Sequence, residues 1–194
     1  MNDVKQFWET RYVNGQTGWD LKEVSPPLKH LINDLPRKDL QILIPGCGNA
    51  YEAAYLMQQG FTDVTVLDIA EMPLKALQNQ MQRDVTEGRL KLICEDFFLH
   101  KGQYDVILEQ TFFCAIDPKL RERYAQKMHE LLKPGGVLTG VLFNREFEGG
   151  PPFGGNVKEY ENYFEPLFSS VSFPVCDKSA APRAGSEVWM RVVK

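Results

Sequence analysis

No apolar run in these 194 residues approaches the length of a bilayer-spanning helix, so no membrane span is expected. The opening residues, Met-Asn-Asp-Val-Lys-Gln, lack the apolar core of a signal peptide. Cysteine is scarce: Cys47, Cys94, Cys114 and Cys176 lie far apart and form no CxxC pair. A disulfide or zinc framework is therefore not expected, and the four read as reduced thiols of a cytoplasmic protein. Positive charge is in deficit, with a net charge of -4 and a pI near 5.5, which argues against a nucleic-acid partner. No His/Asp/Glu grouping has metal-ligand spacing, and no G-x-S-x-G elbow points to a hydrolase. His30, His100 and His129 have no paired acid and read as ordinary surface residues.

What is present is a cofactor turn. Leu40-Gln-Ile-Leu-Ile-Pro-Gly46-Cys-Gly48 reads as a buried strand followed by a glycine turn that opens a helix. Glycine at positions 46 and 48 lets the backbone approach a ligand without side-chain interference. Val64-Thr-Val-Leu-Asp68 is a second strand ending in a carboxylate, placed to accept from a ribose diol. A dinucleotide fingerprint needs a third glycine where Tyr51 stands, and no Lys-Ser/Thr pair makes the turn a P-loop. A shortened turn of this kind suits a nucleoside cofactor without a pyrophosphate, such as S-adenosylmethionine. Cys47, inside the turn, reads as a small side chain that fits there.

Apolar and charged fractions of 43% and 25% are those of one globular domain, 1–194. Residues 1–38 form an N-terminal helical lead-in and 39–194 an alternating strand–helix core. In the lead-in, Val4, Phe7, Trp8 and Tyr12 share a helix side, Trp19 follows in a loop, and Ser25-Pro26 opens a helix striped by Leu28, Leu31, Ile32 and Leu35. Beyond the glycine turn, Ala53, Leu56 and Met57 mark a short helix ended by Gly60. One helix is expected from Pro73 to Gly88, striped by Leu74, Leu77, Met81 and Val85. Leu90–Cys94 and Tyr104–Leu108 read as strands. Asp117-Pro118 starts a helix striped by Leu120, Tyr124, Met128 and Leu131, which Lys133-Pro-Gly-Gly136 breaks before the strand Val137–Phe143. A helix near Val157–Leu167 and strands near Ser169–Val175 and Glu187–Val193 complete seven strands. The short connection between the last two predicts a hairpin and an antiparallel final strand.

Ligands of open α/β sheets bind at the carboxyl ends of the strands. Those ends carry Gly46 and Gly48, then Asp68 and Ile69, then Asp96 with Phe97 and Phe98, then Glu109 and Gln110. Asp96 could accept from an adenine amino group while Phe97 packs against the ring. A sulfonium favours aromatic faces and carboxylates, which gives Trp8, Tyr12, Trp19 and Glu109 a place around it. Phe97, Phe98, Phe112 and Phe113 are equally compatible with core packing, and Trp8 with Tyr12 with a helix packing face. Arg183, in the last loop, is a candidate anion-attracting group or a surface ion pair.

The assembled motifs resemble class I S-adenosylmethionine-dependent methyltransferases of the thiopurine S-methyltransferase family, nearest its halide/thiol branch. They are Phe7-Trp8…Tyr12…Gly18-Trp19-Asp20, Ile44-Pro-Gly-Cys-Gly48, Asp96-Phe-Phe98, Tyr104–Ile116, Gly149-Gly-Pro-Pro152 and Ala181-Pro-Arg-Ala-Gly-Ser-Glu187. The resemblance implies a Rossmann-like seven-stranded α/β sheet with helices on both faces and an N-terminal lid. It implies that Trp8, Tyr12, Trp19, Gly46, Asp68, Ile69, Asp96 and Phe97 contact the cofactor. Gly48, Glu109 and Gln110 join them as cofactor candidates, and Gln110, Phe113 and Arg183 as acceptor candidates. Tyr12 stands where that branch usually has tryptophan. Gln110 stands where it has tyrosine and the thiopurine enzymes have arginine, so acceptor identity does not carry over. The expected reaction is methyl transfer to a small soft nucleophile (thiol, bisulfide, thiopurine or halide) by a monomeric enzyme without a metal or a dedicated catalytic residue. The alternatives are a methyltransferase for an oxygen, nitrogen, selenium or tellurium acceptor, a nicotinamide-dependent oxidoreductase, or a non-catalytic cofactor-binding protein.

Overall fold

The structure is a computed structural model and describes residues 2–194. Seven strands form one sheet: β1 (Gln41–Pro45), β2 (Asp63–Asp68), β3 (Leu90–Cys94), β4 (Tyr104–Gln110), β5 (Leu132–Phe143), β6 (Ser170–Ser172) and β7 (Glu187–Val193). Their order is β3-β2-β1-β4-β5-β7-β6. β1 to β5 run parallel, and β7 inserts antiparallel between β5 and β6. The order reverses between β1 and β4, so the carboxyl ends of those two strands flank the crevice where such sheets bind ligands.

Side-chain alternation along the strands divides the core in two. Ile42, Ile44, Val64, Val66, Val106 and Leu108 face one way and pack with Leu28, Ile32, Leu56 and Leu77. Those four come from helices α2 (Pro26–Asn33), α3 (Tyr51–Gln58) and α4 (Glu71–Gln80). Leu43, Leu67, Ile107 and Leu138 face the opposite way and pack with Tyr124, Met128 and Phe164, which α6 (Arg121–Leu131) and α7 (Val157–Phe164) supply. A period of two on strands both of whose faces are covered yields this arrangement.

The caps read from sequence are in place where they matter. Ser25 accepts from the Leu28 amide at the start of α2, and Asp117 accepts from the Lys119 amide ahead of α6. The helix expected over Pro73–Gly88 is two. It breaks at Met81 (φ -119°), leaving α4 and a short α5, Gln82–Thr86. Pro73 sits inside the first turn of α4, where its missing N–H costs no helical bond. Lys133–Gly136 forms an irregularity within β5, whose register against β4 shifts between the Tyr104 and Val106 pairs. The strand expected to Val175 stops at Ser172. Beyond it Pro174 has no amide hydrogen to donate, and only its carbonyl engages β7, through Trp189 N–H. α7 ends at Phe164, three residues short of expectation. His100 is not a surface residue: it is 2% exposed, its Nδ1 faces Glu95 and its Nε2 lies 2.8 Å from the Tyr104 hydroxyl.

The lead-in helix α1 (Asn2–Val13) lies over the carboxyl ends of the strands beside α4. Glu9 reaches across to accept from the Glu71 amide at the first turn of α4, 2.6 Å away. Trp19 packs edge-on against both Trp8 and Tyr12, with ring centroids 5.5 and 5.9 Å apart.

Candidate active site

The turn after β1 is held from beneath. Cys47 N–H donates to Leu67 O of β2 at 3.1 Å, and Gly48 N–H donates to Asp68 Oδ2 at 2.9 Å. Gly46 and Gly48 both have positive φ, 57° and 50°, a region that side chains disfavour. A Cβ at Gly46 would lie 2.1 Å from the Phe112 ring, and one at Gly48 2.8 Å from the Tyr12 hydroxyl. The glycines thus make room for two of the chain's own aromatic rings, which close over the turn.

A cavity of about 390 Å³ opens beside this turn, within the range of small-molecule sites. It gathers eight of the expected residues: Trp8, Tyr12 and Trp19 from the lead-in, Gly46 after β1, Asp68 and Ile69 after β2, and Asp96 and Phe97 after β3. Asp68 is buried, and its Oδ1 accepts from Ala70 N–H at 2.8 Å while Oδ2 takes Gly48 N–H. Burial pushes its carboxyl up despite those bonds. Each oxygen keeps a further lone pair for a hydroxyl. Asp96 accepts from Phe98 N–H through Oδ1 at 2.9 Å and so fixes the turn that presents Phe97. The Tyr12 phenol is raised far above its ordinary value by burial, with Asp68 adding to the effect, so it stays neutral.

A second, polar cavity of about 70 Å³ shares Trp19, Gly46 and Thr111 with the first. Gly48, Gln110 and Arg183 line it, together with Asp20, Asn49 and Glu52. Gln110 Oε1 accepts from the buried Ser25 hydroxyl at 2.6 Å. Thr111, on the wall common to both cavities, holds a positive φ of 59°, a strained conformation of the kind found at binding sites. Burial works against the charge of Asp20, but its bonds to Lys22 and Asn49 win and hold the carboxyl below its ordinary value. Glu52 is pushed up to about 7 by burial.

Three expectations need correction. Glu109 lies away from both cavities and is fully buried. Its Oε1 accepts from the amides of Phe112 and Phe113 at 2.9 and 3.0 Å, and its Oε2 accepts from the Tyr124 hydroxyl. It anchors the loop after β4, and burial raises its carboxyl to about 7. Phe113 points into the core against Tyr124 and Tyr160, while its neighbour Phe112 lines the main cavity. The two occupy successive positions at a 3₁₀ turn and diverge. Arg183 is buried and does not border the main cavity. Its Nη2 donates to the Trp19 carbonyl at 2.7 Å, tying the last loop to the lid.

Phe98, named at a strand end, and Phe112, left equally compatible with core packing, both face the cavity, and sequence reading gave no site role to Ile116, Leu120, Pro151 or Phe153, which complete its wall beyond the strand ends. Arg121, 2% exposed, holds the last part of that wall: it donates to Glu159 at 2.7 Å and to Gly154 O at 2.8 Å. Its only sequence signal was a cation in the first turn of a helix, where the macrodipole disfavours one.

A family model for thiopurine S-methyltransferase matches residues 4–188. The chain belongs to the thiopurine S-methyltransferase family. A probable thiol methyltransferase 2 of Arabidopsis thaliana is 34% identical over 184 residues, covering 93% of this chain and 81% of that protein. A thiocyanate methyltransferase 1 of Brassica oleracea is 32% identical over the same shares. In fold, the chain is similar to the 1,6-didemethyltoxoflavin-N1-methyltransferase of Burkholderia thailandensis, with a TM-score of 0.74 and 18% identity over 98% of this chain and 87% of that one. The protein is thus a methyltransferase that uses S-adenosylmethionine.

The residues present fit that cofactor. Arg183 Nη1 is buried without a hydrogen-bond partner, lines the second cavity and is 3.6 Å from the Glu187 carboxylate. A guanidinium lining a polar recess beside a glycine turn, with an Nη1 that makes no hydrogen bond and only a long ion pair to Glu187, matches the carboxylate of an amino acid. Asp68 and Asp96, in the adjoining cavity, match a nucleoside. Among the described residues no group of three or more His, Cys, Asp or Glu side chains is placed to hold a metal ion.

Proposed function

We propose that this methyltransferase transfers the methyl group of S-adenosylmethionine to a small soft nucleophile, with sulfur acceptors foremost. The observation that carries the reading is the pair of joined cavities, one with strand-end carboxylates under an aromatic lid, the other a polar recess lined by the Arg183 guanidinium. Asp68 would accept from the ribose hydroxyls, and Asp96 from the adenine amino group, with Phe97 against the ring. Gly46 and Gly48 would let the turn approach, and Gln110 and Arg183 would hold the amino-acid end. Glu109 has no part in binding in this reading.

When bound, the cofactor supplies a methyl carbon made electrophilic by its sulfonium. The protein's share is positioning and water exclusion. Trp8, Tyr12 and Trp19 cover the cavity with aromatic faces, which favour a cation over water. A thiolate needs no strong base to form near neutral pH, so a cavity with no lysine, arginine or histidine among the described residues that line it is no obstacle. The relatives' names, thiol and thiocyanate methyltransferase, point to sulfur nucleophiles too. The nicotinamide alternative falls with the family assignment. We place the enzyme in the cytoplasm, where its four free cysteines would stay reduced, and propose a monomer built as one domain over 1–194.

Calorimetric titration with S-adenosylhomocysteine, with NAD in parallel, tests the cofactor reading. Micromolar binding of the first alone supports it, and binding of NAD or of neither overturns it. Formation of S-adenosylhomocysteine on addition of bisulfide, small thiols, thiopurines or iodide then tests the acceptor class. Turnover on oxygen or nitrogen acceptors alone would overturn that part.

A further inference from the structure

Residues 95–103, which join β3 to β4, carry Asp96 and Phe97 but contain a single 3₁₀ turn, Phe97–Leu99, and no other regular structure. Leu99, which ends the turn, is 56% exposed, so apolar packing does little to hold that end. His100 follows directly and is buried with both ring nitrogens engaged. Nδ1 faces the Glu95 carboxylate, and Nε2 lies 2.8 Å from the Tyr104 hydroxyl at the start of β4. A carboxylate only accepts, so Nδ1 carries the proton, and the neutral ring takes the Tyr104 O–H at Nε2. Glu95 and His100 flank the turn, and their bond closes a loop of chain around Asp96 and Phe97. That loop is tied to the fold at both ends. Glu95 N–H donates to Asp68 O at 3.1 Å, and Lys127 Nζ of α6 donates to His100 O at 3.2 Å. The Tyr104 ring stacks beside the imidazole, with centroids 5.9 Å apart.

We infer that His100 is a positioning residue for the cofactor: by stapling Glu95 to Tyr104 it holds the Asp96 carboxylate at the spacing from Asp68 that a bound nucleoside needs. The inference rests on the methyl-transfer reading and on Asp96 accepting from the adenine amino group within it. The Glu95 amide sets where the loop leaves the end of β2, and the imidazole sets where it returns to β4. Asp96 lies between those anchors, and its Oδ1 is held by Phe98 N–H, so its carboxylate moves with the turn. A hydrogen bond to the amino group requires a separation of about 2.7–3.2 Å, and a displacement of the turn by about 1 Å removes it. The buried imidazole, which touches neither cavity, thereby acts on the cofactor through the chain it closes.

S-adenosylhomocysteine and its purine analogue, in which hydrogen replaces the adenine amino group, provide the test, because they differ at the one contact that Asp96 would make. Their dissociation constants would be measured by calorimetry with the purified full chain. Wild type is expected to bind S-adenosylhomocysteine about 30-fold more tightly, within the range for one hydrogen bond to a charged acceptor. His100→Leu removes both ring bonds. Glu95→Ala, at a side chain 37% exposed, breaks the staple without opening the core, and it decides the matter if His100→Leu does not fold. In each the ratio should fall to about threefold through weaker S-adenosylhomocysteine binding, with the analogue within about twofold of its wild-type value. His100→Asn, whose amide can stand in for Nδ1–H toward Glu95, should keep a ratio of about 20-fold. A merely structural histidine would lower the unfolding midpoint of its variants and leave the ratio unmoved. A ratio still near wild type in Glu95→Ala or His100→Leu, an analogue weakened as much as S-adenosylhomocysteine, or a ratio in His100→Asn as low as in Glu95→Ala overturns the proposal. So does a wild type that binds the two ligands alike or binds neither. The two levels separate on S-adenosylhomocysteine itself: if wild type binds it, only the adenine contact or its positioning has failed, and if it does not, the methyl-transfer reading fails as well.

Discussion

Replacing Glu109 by glutamine should make the protein more stable at pH 8, and less so or not at all at pH 5. Glu109 is fully buried, and burial raises its carboxyl from an ordinary 4.5 to about 7 against the pull of three hydrogen-bond donors. Below pH 4.5 the folded and unfolded chains both carry the proton, and the contribution to stability is complete. As the pH rises the unfolded chain releases the proton near 4.5, while the folded chain keeps it until about 7. The folded state is therefore disfavoured progressively across that window. The loss is about 2.5 pH units at 1.36 kcal/mol each, or roughly 3 kcal/mol, and it levels off above pH 7. Glutamine reproduces the protonated acid: its oxygen can accept from the Phe112 and Phe113 amides, and its NH₂ can face the Tyr124 oxygen. Urea unfolding of wild type and Glu109→Gln, followed by circular dichroism from pH 5 to 8, checks this. The two should nearly coincide at pH 5 and separate by roughly 3 kcal/mol at pH 8, with the variant ahead. A separation that does not change with pH would refute the reasoning.

Gly46→Ala forces a side chain into φ 57° and into the Phe112 ring, so it should cost about 1–2 kcal/mol for the backbone alone. Calorimetry should show weaker S-adenosylhomocysteine binding because the ring must move into the cavity. Asp68→Asn can no longer accept from both the Gly48 and Ala70 amides. A loss of about 1–3 kcal/mol in urea unfolding is expected, with S-adenosylhomocysteine affinity down about 10- to 100-fold. Arg121→Met leaves Glu159 and the Gly154 carbonyl without their partner, but Glu159 is partly solvated, so a loss of about 3 kcal/mol is expected, at the low end for a broken buried pair. In steady-state kinetics the acceptor KM should rise more than the cofactor dissociation constant, because Arg121 supports the Phe153 wall and not the strand ends.

The sheet was legible because its signals are local. A buried run, a glycine turn and a strand-end acid each follow from a few neighbouring residues, while the assignment of Leu43 and Ile44 to opposite faces comes from the fold. The Met81 break was not legible, since Leu74, Leu77, Met81 and Val85 keep helical spacing across it. Nor was the burial of His100. Its partners, Glu95 and Tyr104, lie five and four residues away, but a single 3₁₀ turn, Phe97–Leu99, and an irregular loop connect the three, and no helical or strand register relates them. The cavity wall was the least visible part. Phe112 and Phe113 are adjacent, and only the amide bonds to Glu109 decide which ring faces the cavity and which faces Tyr124.

Asp68 and Glu109 show why strand-end acids could be found from sequence but not sorted. Each stands at or next to the carboxyl end of a parallel strand, each is buried, and each accepts from two backbone amides. Asp68 receives one amide on each oxygen and so keeps a lone pair on each toward the cavity. Glu109 receives both amides on one oxygen and gives the other to Tyr124, a core hydroxyl with no exposure. One arrangement leaves hydrogen-bonding capacity for a ligand, and the other spends it on the loop that builds the ligand's wall. The distinction lies in which backbone amides the folded chain brings to each carboxylate, and the residue type alone does not carry that information.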